Sequence, residues 1–241
     1  MGASRPMIID TSTLDAASAY KLLIGSIVPR PIGWISTMSV DGVANLAPIS
    51  FFTCVGRKPP MVSITMQPRS DGQLKDTFVN VRDTGEFCFN LVSLPHAHHA
   101  HRSAAEFPTE VDEFDVLGLG KAPSDVVAVP RVDGAPISFE CTLERVIPVG
   151  NDDHVVFGIV QRVHIRDDLY IEGGRVDTAA LGPVGRLAAE YTLVENVFTT
   201  PLDDEILAAR HPARMHRLDG RPTEFSPIAT KAWSPSGSVM D

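Results

Sequence analysis

The sequence predicts a mainly β fold built from antiparallel strands, with a few short helices. Short segments that alternate apolar and polar residues recur along the chain and are separated by Gly and Pro, which favours antiparallel strands over repeated strand–helix units. An Asp41–Gly42 pair stands between an apolar run and a return run, a pattern typical of a tight β-hairpin. Residues 137–165 carry a second and longer pair of alternating segments. These three observations point to a barrel-like sheet. The length of the chain fits one domain of this type, and two small domains stay open as an alternative without a visible boundary.

The run that returns from the first turn carries polar residues and a proline inside an otherwise apolar segment. Residues 44–52 read Ala-Asn-Leu-Ala-Pro-Ile-Ser-Phe-Phe. Because Pro48 has no amide hydrogen to donate to a sheet ladder, we expect this strand to lie at a sheet edge or to face something other than protein. A ligand is one candidate for that neighbour.

A turn further along the chain combines cations, hydroxyl groups and a flexible glycine. Arg69, Ser70, Lys75 and Thr77 lie within one short segment. Cations and hydroxyl donors in this arrangement suit a terminal phosphate group. Together with the proline-bearing strand, this segment predicts a flat, phosphorylated cofactor.

The segment 137–165 predicts a long hairpin, because two alternating stretches flank Gly150–Asp153, which has turn composition. Two adjacent long strands suit the wall of a barrel. Helices are expected over residues 76–82, 95–106, 178–185 and 202–210. Asp76 or Thr77 is the expected cap of the first helix, whose N-terminal amides would then point at the phosphate.

Composition restricts the class of protein. The chain has 241 residues, of which 44% are hydrophobic, and this is enough for a large core. Its net charge of -9 is spread without a basic block, which disfavours binding to nucleic acid. The apolar runs are too short to span a membrane and the N-terminus does not resemble a secretory signal, so we expect a cytoplasmic protein.

The three cysteines, Cys54, Cys88 and Cys141, are far apart and lie in apolar contexts. Their odd number and wide spacing disfavour a disulfide framework or a cysteine-rich zinc site. We expect all three to be small buried side chains, although the position of Cys54 near the proline-bearing strand leaves a contact with the cofactor open.

An ordered series of motifs resembles the flavin reductase-like family of FMN-binding split-barrel proteins. No single motif is specific to this family, but the order of the motifs along residues 20–200 is specific to it. The motifs are Arg30-Pro31-Ile32, Trp34-Ile35-Ser36-Thr37, Asn45 to Phe52, Pro59-Pro60, Lys75-Asp76-Thr77 with Asn80, Glu86-Phe87 with Asn90, Val111 to Phe114 before Gly118-Leu119, Pro130-Arg131-Val132, Pro183 to Leu187, and Tyr191.

The resemblance implies an antiparallel, Greek-key split β-barrel that forms a homodimer with FMN at the subunit interface. It further implies hydride transfer from NADH or NADPH to FMN, with a partner oxygenase, oxygen or a metal as the electron acceptor. The residues expected to contact FMN are Trp34, Ser36, Thr37, Asn45, Leu46, Ala47, Pro48, Ser50, Phe51, Arg69, Ser70, Lys75 and Thr77. No catalytic side chain is assigned, because hydride passes directly between stacked rings.

The expected organisation is an N-terminal arm over residues 1–19, the split-barrel domain over 20–200, and a C-terminal helix and tail over 201–241. A Rossmann site is not predicted, because Gly118-Leu119-Gly120 lacks the third glycine of the dinucleotide motif.

Several alternatives stay open at this point. An FMN-containing electron carrier of the flavoredoxin kind would use the same fold without direct use of NAD(P)H. A metal-binding protein would use the cluster His96, His98, His99 and His101, although a solvated helix is the simpler interpretation.

Trp34 fits a core position as well as a flavin contact. Adjacent residues on an extended chain point in opposite directions, so Asp112–Glu113 is interpreted as structural.

Overall fold

The structure is a computed structural model that describes residues 7–194. The strands are β1 Arg30–Pro31, β2 Gly33–Met38, β3 Ala44–Ile49, β4 Phe52–Arg57, β5 Pro60–Met66, β6 Glu86–Leu91, β7 Lys121–Ala122, β8 Arg131–Val132, β9 Ile137–Val149, β10 Asp153–Ile165, β11 Tyr170–Ile171, β12 Arg175–Val176, β13 Val184–Arg186 and β14 Tyr191–Leu193. The helices are α1 Ala16–Ser26, α2 Asp76–Thr84, α3 Ala97–Arg102, α4 Glu113–Leu117 and α5 Thr178–Leu181. The predicted mainly β fold with short helices is confirmed.

Seven strands form the main sheet, in the order β3-β2-β6-β9-β10-β5-β4, and every neighbouring pair is antiparallel. A three-stranded sheet of β1, β13 and β14 and a ribbon of β7 and β8 belong to the same compact unit, which contains residues 7–166 and 182–194. The second unit holds residues 167–181, with the β11–β12 ribbon and α5. In the part of the chain that the structure describes, no helix is long and apolar enough to cross a membrane.

The first predicted hairpin is confirmed as β2 and β3. The amide of Ser39 donates to the Val43 carbonyl across the turn at 2.9 Å, and Gly42 has a φ of 83°, which glycine adopts without strain. The strand β3 ends the order of the main sheet, so the predicted edge position of the proline-bearing strand is also confirmed.

The second predicted hairpin is confirmed as β9 and β10, which pair from Ile137 opposite Ile165 to Val149 opposite Asp153. Two irregularities interrupt the register, one between Phe157 and Gly158 and the other between Val160 and Arg162. Such bulges sharpen the local twist of the strand.

Both faces of β2 are buried, because the main sheet is covered on each side. Ile35 belongs to one core cluster, which also contains Phe78 of α2 and Phe87 of β6. Trp34 belongs to a second cluster, together with Phe114 of α4. Since successive side chains of a strand point to opposite faces, one short strand supplies two cores.

The helices differ from the predicted ones in two ways. The helix α2 runs two residues past the predicted end, and α3 with the 3-10 turn Leu94–His96 covers only part of residues 95–106. The helix α5 is shorter than predicted, and residues 202–210 lie outside the described residues. The helices α1 and α4 were not predicted at all. Each begins after an aspartate cap that sequence analysis overlooked.

Candidate functional site

A groove runs along the free edge of β3 and the start of α2. One depression is lined by Asn45, Ala47, Pro48, Arg69, Lys75, Asp76, Thr77, Ser103, Ala104, Ala105, Glu106, Phe107 and Glu113. A second depression is lined by Tyr20, Pro48, Ile49, Ser50, Phe51, Thr65, Met66, Gln67 and Lys75. Because Pro48 and Lys75 lie on the wall of both, we treat the two depressions as one groove.

Hydrogen bonding along β3 explains why its outer edge can receive a ligand. The amide of Leu46 leaves the ladder and donates to the Oε2 atom of Glu113. Because hydrogen-bonding directions alternate along an antiparallel strand, Pro48 and Ser50 face the same outer edge as Leu46, while Asn45 and Ala47 pair with β2. Just past the end of β3, the amides of Ser50 and Phe51 have no protein partner among the described residues and are available to a ligand.

Lys75 is the N-cap residue of α2, and its carbonyl accepts hydrogen bonds from the amides of Phe78 and Val79. The predicted capping by Asp76 or Thr77 is wrong, because no side chain caps this helix. The amides at the start of a helix have no partner within the helix, so this end favours negative charge. Within residues 7–194, the Lys75 ammonium group has no hydrogen-bond or ion-pair partner, and it lies on the groove wall.

The other residues of the basic turn are already engaged with protein groups. The Arg69 guanidinium donates to Asp76 at 2.8 Å and to the Phe107 carbonyl at 2.7 Å. The amide and hydroxyl of Ser70 donate to the two carboxylate oxygens of Glu106 at 2.9 and 2.6 Å. Arg69 lines the groove with its charge balanced, whereas Ser70 is exposed and does not line it.

Three of the residues predicted to contact the cofactor lie in the core instead. Trp34 has no exposed surface, and its indole Nε1 donates to the Ser103 hydroxyl at 2.9 Å, which fits the alternative of a core aromatic. Ser36 is equally buried and donates to the Pro130 carbonyl at 2.7 Å. The side chain of Leu46 packs in the second core cluster. We therefore leave all three out of the proposed contact set.

A buried polar network joins the hairpin to α2. The hydroxyls of Thr37 and Thr77 both donate to the Asn45 carboxamide oxygen, at 3.2 and 2.8 Å. Asn80 donates to the Thr37 hydroxyl at 3.0 Å. Thr37 is fully buried and does not line the groove. Because the oxygen of Asn45 is occupied, its Nδ2 group is the donor that remains for a ligand.

Glu113 is a groove residue that sequence analysis missed. The interpretation of Asp112–Glu113 as an extended pair is wrong, because Asp112 caps α4 through the amides of Phe114 and Asp115, and Glu113 is the first helical residue. Glu113 is only 5% exposed, and its burial raises the pKa of the carboxyl to about 7, although the Leu46 hydrogen bond acts in the opposite direction. A carboxyl group of this kind exchanges a proton near neutral pH.

The histidine cluster does not converge on a common point. Nδ1 of His96 lies 3.1 Å from the Ser93 hydroxyl, and Nδ1 of His101 lies 2.9 Å from the Tyr191 hydroxyl. Burial and the neighbouring His99 lower the pKa of His96. Among the described residues, no three members of the cluster bring ligand atoms within the distance that one metal ion needs.

A different group, Asp125, Glu140 and His164, brings one oxygen or nitrogen atom of each within 4.8 Å of the others. Glu140 is fully buried, and its two oxygens already accept the amides of Asp125, Val126 and Val127 as well as His164 Nε2. With both oxygens occupied, the carboxylate anchors the 125–127 loop and does not depend on an ion.

The cysteines also differ from expectation. Cys88 and Cys141 are fully buried as predicted, but Cys54 is exposed on β4, so its predicted burial is wrong. Cys54 does not line the groove. None of the three forms a disulfide.

Comparison with known proteins now identifies the class. The chain matches the family model for the flavin reductase like domain over residues 24–179, and it belongs to this family. Membership places it among flavin-related oxidoreductases. An uncharacterized protein of Aquifex aeolicus is 43% identical over 177 residues, which cover 73% of this chain and 90% of the relative.

Two solved structures agree with this assignment. Nitrilotriacetate monooxygenase component B from Bacillus cereus superposes with a TM-score of 0.78 at 33% identity, covering 82% of this chain and 100% of that protein. A protein from Shewanella frigidimarina with a split barrel domain superposes with a TM-score of 0.70 at 20% identity, covering 80% and 96% of the two chains. The predicted split-barrel fold is thus confirmed.

Proposed function

We propose that this chain binds FMN in the groove and is a flavin reductase that uses NADH or NADPH. One observation carries the proposal: the edge of β3 and the unpaired Lys75 ammonium group line the same groove. Pro48 of this edge and Lys75 are 27 positions apart in the sequence. A planar ring with a charged tail needs such a combination of an apolar edge and a cation.

The residues around Lys75 fit the phosphate group. The ammonium group and the first amides of α2 supply positive charge at one end of the groove, where a dianion would bind. Arg69 attracts a phosphate group less strongly than its charge suggests, because the Asp76 carboxylate already balances that charge. The Thr77 hydroxyl donates to Asn45, so its remaining role toward a phosphate is as an acceptor or through its backbone amide.

The residues of the second depression fit the flavin ring. Phe51 and Tyr20 lie with ring centroids 6.2 Å apart and supply apolar surface. The Ser50 hydroxyl accepts a hydrogen bond from Arg30 Nε at 3.3 Å, so its own hydrogen is available to a ligand. Arg30 also donates to the Leu187 carbonyl at 2.8 Å and thereby holds this part of the wall in place.

When bound, FMN supplies the redox chemistry by accepting hydride from a nicotinamide and passing electrons onward. The protein residues bind and orient it: the Lys75 end fixes the tail, while Pro48, Ser50 and Phe51 position the ring. The nicotinamide ring would stack on the face of the flavin that the groove does not cover.

We also propose that the chain functions as a homodimer. The helix α1 has no buried residue, and its region exposes Tyr20, Leu22, Leu23, Ile27 and Val28. An apolar surface of this kind typically marks an interface between protein chains. Because Tyr20 lies on the groove wall, a partner that covers α1 would also enclose the ring end of the groove.

A partner oxygenase is the proposed consumer of the reduced flavin. The similar Bacillus cereus protein is a component of a monooxygenase, and a two-component oxygenase needs a separate supply of reduced flavin. A flavoredoxin-like electron carrier is the alternative that the first experiment below distinguishes.

The function is tested by the absorbance of the purified protein with FMN before and after anaerobic addition of NADH or NADPH. Loss of the oxidised flavin bands at a catalytic rate supports the reductase. Bound flavin that neither nicotinamide reduces would support the carrier instead, and the absence of flavin binding would contradict both.

The position of the phosphate is tested by Lys75→Met, which removes the charge but keeps an unbranched side chain. We expect FMN affinity to fall by about 10-fold or more, since one charge-assisted contact contributes roughly 1.5–3 kcal/mol. Riboflavin, which lacks the phosphate, should bind both forms alike. The matched control Lys58→Met removes an exposed lysine outside the groove and should leave FMN affinity unchanged. Equal losses for FMN and riboflavin would contradict the assignment.

A further inference from the structure

The charges at the Lys75 end of the groove do not balance in favour of an anion. Its wall carries two cations, Arg69 and Lys75, and three carboxylates, Asp76, Glu106 and Glu113. Arg69 and Asp76 form an ion pair with an N–O distance of 2.8 Å. Glu106 lies at the exposed rim, where the Ser70 amide and hydroxyl bind both its oxygens. Lys75 is therefore the cation left for a ligand. The Ser70 hydrogen bonds lower the pKa of Glu106, so this carboxylate stays ionised, but at the exposed rim solvent screens its charge. Glu113 is the buried carboxylate whose charge works against an anion.

Glu113 is held where its charge cannot be screened well. It is 5% exposed, and the Leu46 amide of the edge strand is its single hydrogen-bond donor within the described residues. No cation forms an ion pair with it there. The charged groups that face it are Asp76 on α2 and Arg69 in the preceding turn, while Asp112 lies beside it on its own element. The two acids disfavour its ionised form, whereas Arg69 favours it.

We propose that Glu113 couples ligand binding to proton uptake. The groove binds a phosphate-bearing ligand when Glu113 is a neutral acid. If Glu113 is ionised in the free protein, its carboxylate takes up a proton when the ligand binds. This inference rests on the proposed binding of FMN. A dianion beside Lys75 and an ionised Glu113 would share one partly buried pocket, and like charges in such a place repel strongly. Protonation removes that repulsion and leaves the acid able to donate a hydrogen bond.

The sign of the effect follows from the protonation state of the free protein. Burial raises the pKa of Glu113 to about 7, so the carboxyl is neutral below this pH and ligand binding needs no proton there. Above it, each binding event must take up one proton, and affinity falls by up to about tenfold per pH unit. A phosphate monoester has its second pKa near ~6, so the ligand remains a dianion throughout the range from pH 7 to 9.

The test measures FMN binding by isothermal titration calorimetry at pH 7, 8 and 9, with two buffers of different ionisation enthalpy at each pH. For the wild-type protein we expect uptake approaching one proton per FMN above pH 8, and a dissociation constant that rises about 10-fold or more across the range. Riboflavin should bind with much less proton uptake, because it carries no phosphate.

The variant Glu113→Gln keeps an oxygen for the Leu46 amide but cannot ionise. We expect it to bind FMN with no net proton uptake and with less than about a 2-fold change in dissociation constant from pH 7 to 9. The matched control Glu110→Gln removes an exposed carboxylate three positions earlier, outside the groove, and should behave like the wild type.

The outcomes separate this inference from the function on which it rests. Wild-type protein that binds FMN without proton uptake, or a Glu113→Gln variant with unchanged uptake, overturns the inference and leaves FMN binding intact. Equal uptake with riboflavin and FMN also overturns it. Failure of the wild-type protein to bind FMN at any pH overturns the proposed function and the coupling together. If Glu113→Gln does not fold, the comparison of FMN with riboflavin on wild-type protein decides the question alone.

Discussion

Replacing Glu140 by Gln should remove a large part of the protein's stability. Each oxygen of the buried Glu140 carboxylate accepts two hydrogen bonds: Oε1 those of the Asp125 amide and His164 Nε2, and Oε2 those of the Val126 and Val127 amides. Gln keeps the shape of the side chain but replaces one carboxylate oxygen with an NH2 group. The two protein groups that donated hydrogen bonds to that oxygen would then face another donor. A charge-assisted hydrogen bond contributes roughly 1.5–3 kcal/mol, so we expect a loss of about 3–5 kcal/mol in the free energy of unfolding.

The pKa of Glu140 expresses the effect of the same hydrogen bonds and corresponds to a free energy of similar size. Burial alone would raise this pKa, but the hydrogen bonds from the Asp125 amide, His164 and the Val126 and Val127 amides lower it from 4.5 to about 2. At about 1.4 kcal/mol per pKa unit, the shift corresponds to roughly 3 kcal/mol. Because the folded-state pKa is the lower one, this stabilisation is fully present above about pH 4.5 and is lost as the pH falls to about 2.

The assay is urea unfolding at pH 7, followed by circular dichroism. The control Glu144→Gln removes an exposed carboxylate from the same strand, where an ion pair contributes at most about 1 kcal/mol. Acid titration provides the second readout, because Glu140→Gln should lose less stability than the wild type between pH 5 and pH 2. If Glu140→Gln lowers the free energy of unfolding at pH 7 by an amount within about 1 kcal/mol of the loss in Glu144→Gln, the stabilising role assigned to Glu140 is refuted.

Two further predictions concern packing and thiol chemistry. A Cβ atom at position 158 would lie 2.3 Å from Phe87 Cζ, so Gly158→Ala should lower the unfolding free energy by about 1–3 kcal/mol. The control Gly25→Ala adds a Cβ that meets no atom within 4 Å and should not destabilise the protein. Equal melting temperatures for the two variants would contradict this prediction. Burial raises the pKa of Cys88 to about 12 and raises that of Cys141 as well, so only the exposed Cys54 should react quickly with a thiol reagent at pH 8. A fast reaction that persists in Cys54→Ser would show that the assignment is wrong.

The hairpins could be predicted from the sequence because the signals that specify them are local. Asp41–Gly42 has the turn chemistry that a short hairpin requires, and the alternation on both sides of it sets the pairing of β2 with β3. The edge position of β3 followed from Pro48 for the same reason, since a missing amide hydrogen is a property of one residue.

The exposure of polar residues could not be predicted, because it depends on what covers each face of the sheet. Ser36 and Thr37 both have no exposed surface, since the residues on either side of β2 are packed under other elements. Their hydroxyls stay buried because a carbonyl of Pro130 and the carboxamide of Asn45 accept them. An alternating pattern indicates which residues share a face but not whether that face meets solvent, ligand or a second core.

Glu113 was missed for a different reason, since a usable signal was present in the sequence. Asp112 can cap a helix, and Gly118 ends α4 in the left-handed conformation with a φ of 68°. An aspartate before a short apolar run that a glycine closes is a helix signature, and it would have placed Glu113 on a helix and not on an extended chain. The contact with the Leu46 amide, by contrast, joins positions 67 residues apart and follows only from the fold.

The buried network of Thr37, Asn45, Thr77 and Asn80 gives the groove its fixed geometry. It ties β2, β3 and α2 together through three hydrogen bonds, so the strand that carries Pro48 and the helix that begins after Lys75 cannot shift independently. A ligand whose ring and tail contact these two walls binds best when their separation is set before it arrives, because less order is then lost on binding. Asn45 and Thr77 reach the groove wall themselves, whereas Thr37 and Asn80 do not line it, so we expect Thr37 and Asn80 to influence ligand affinity by holding the other two in place.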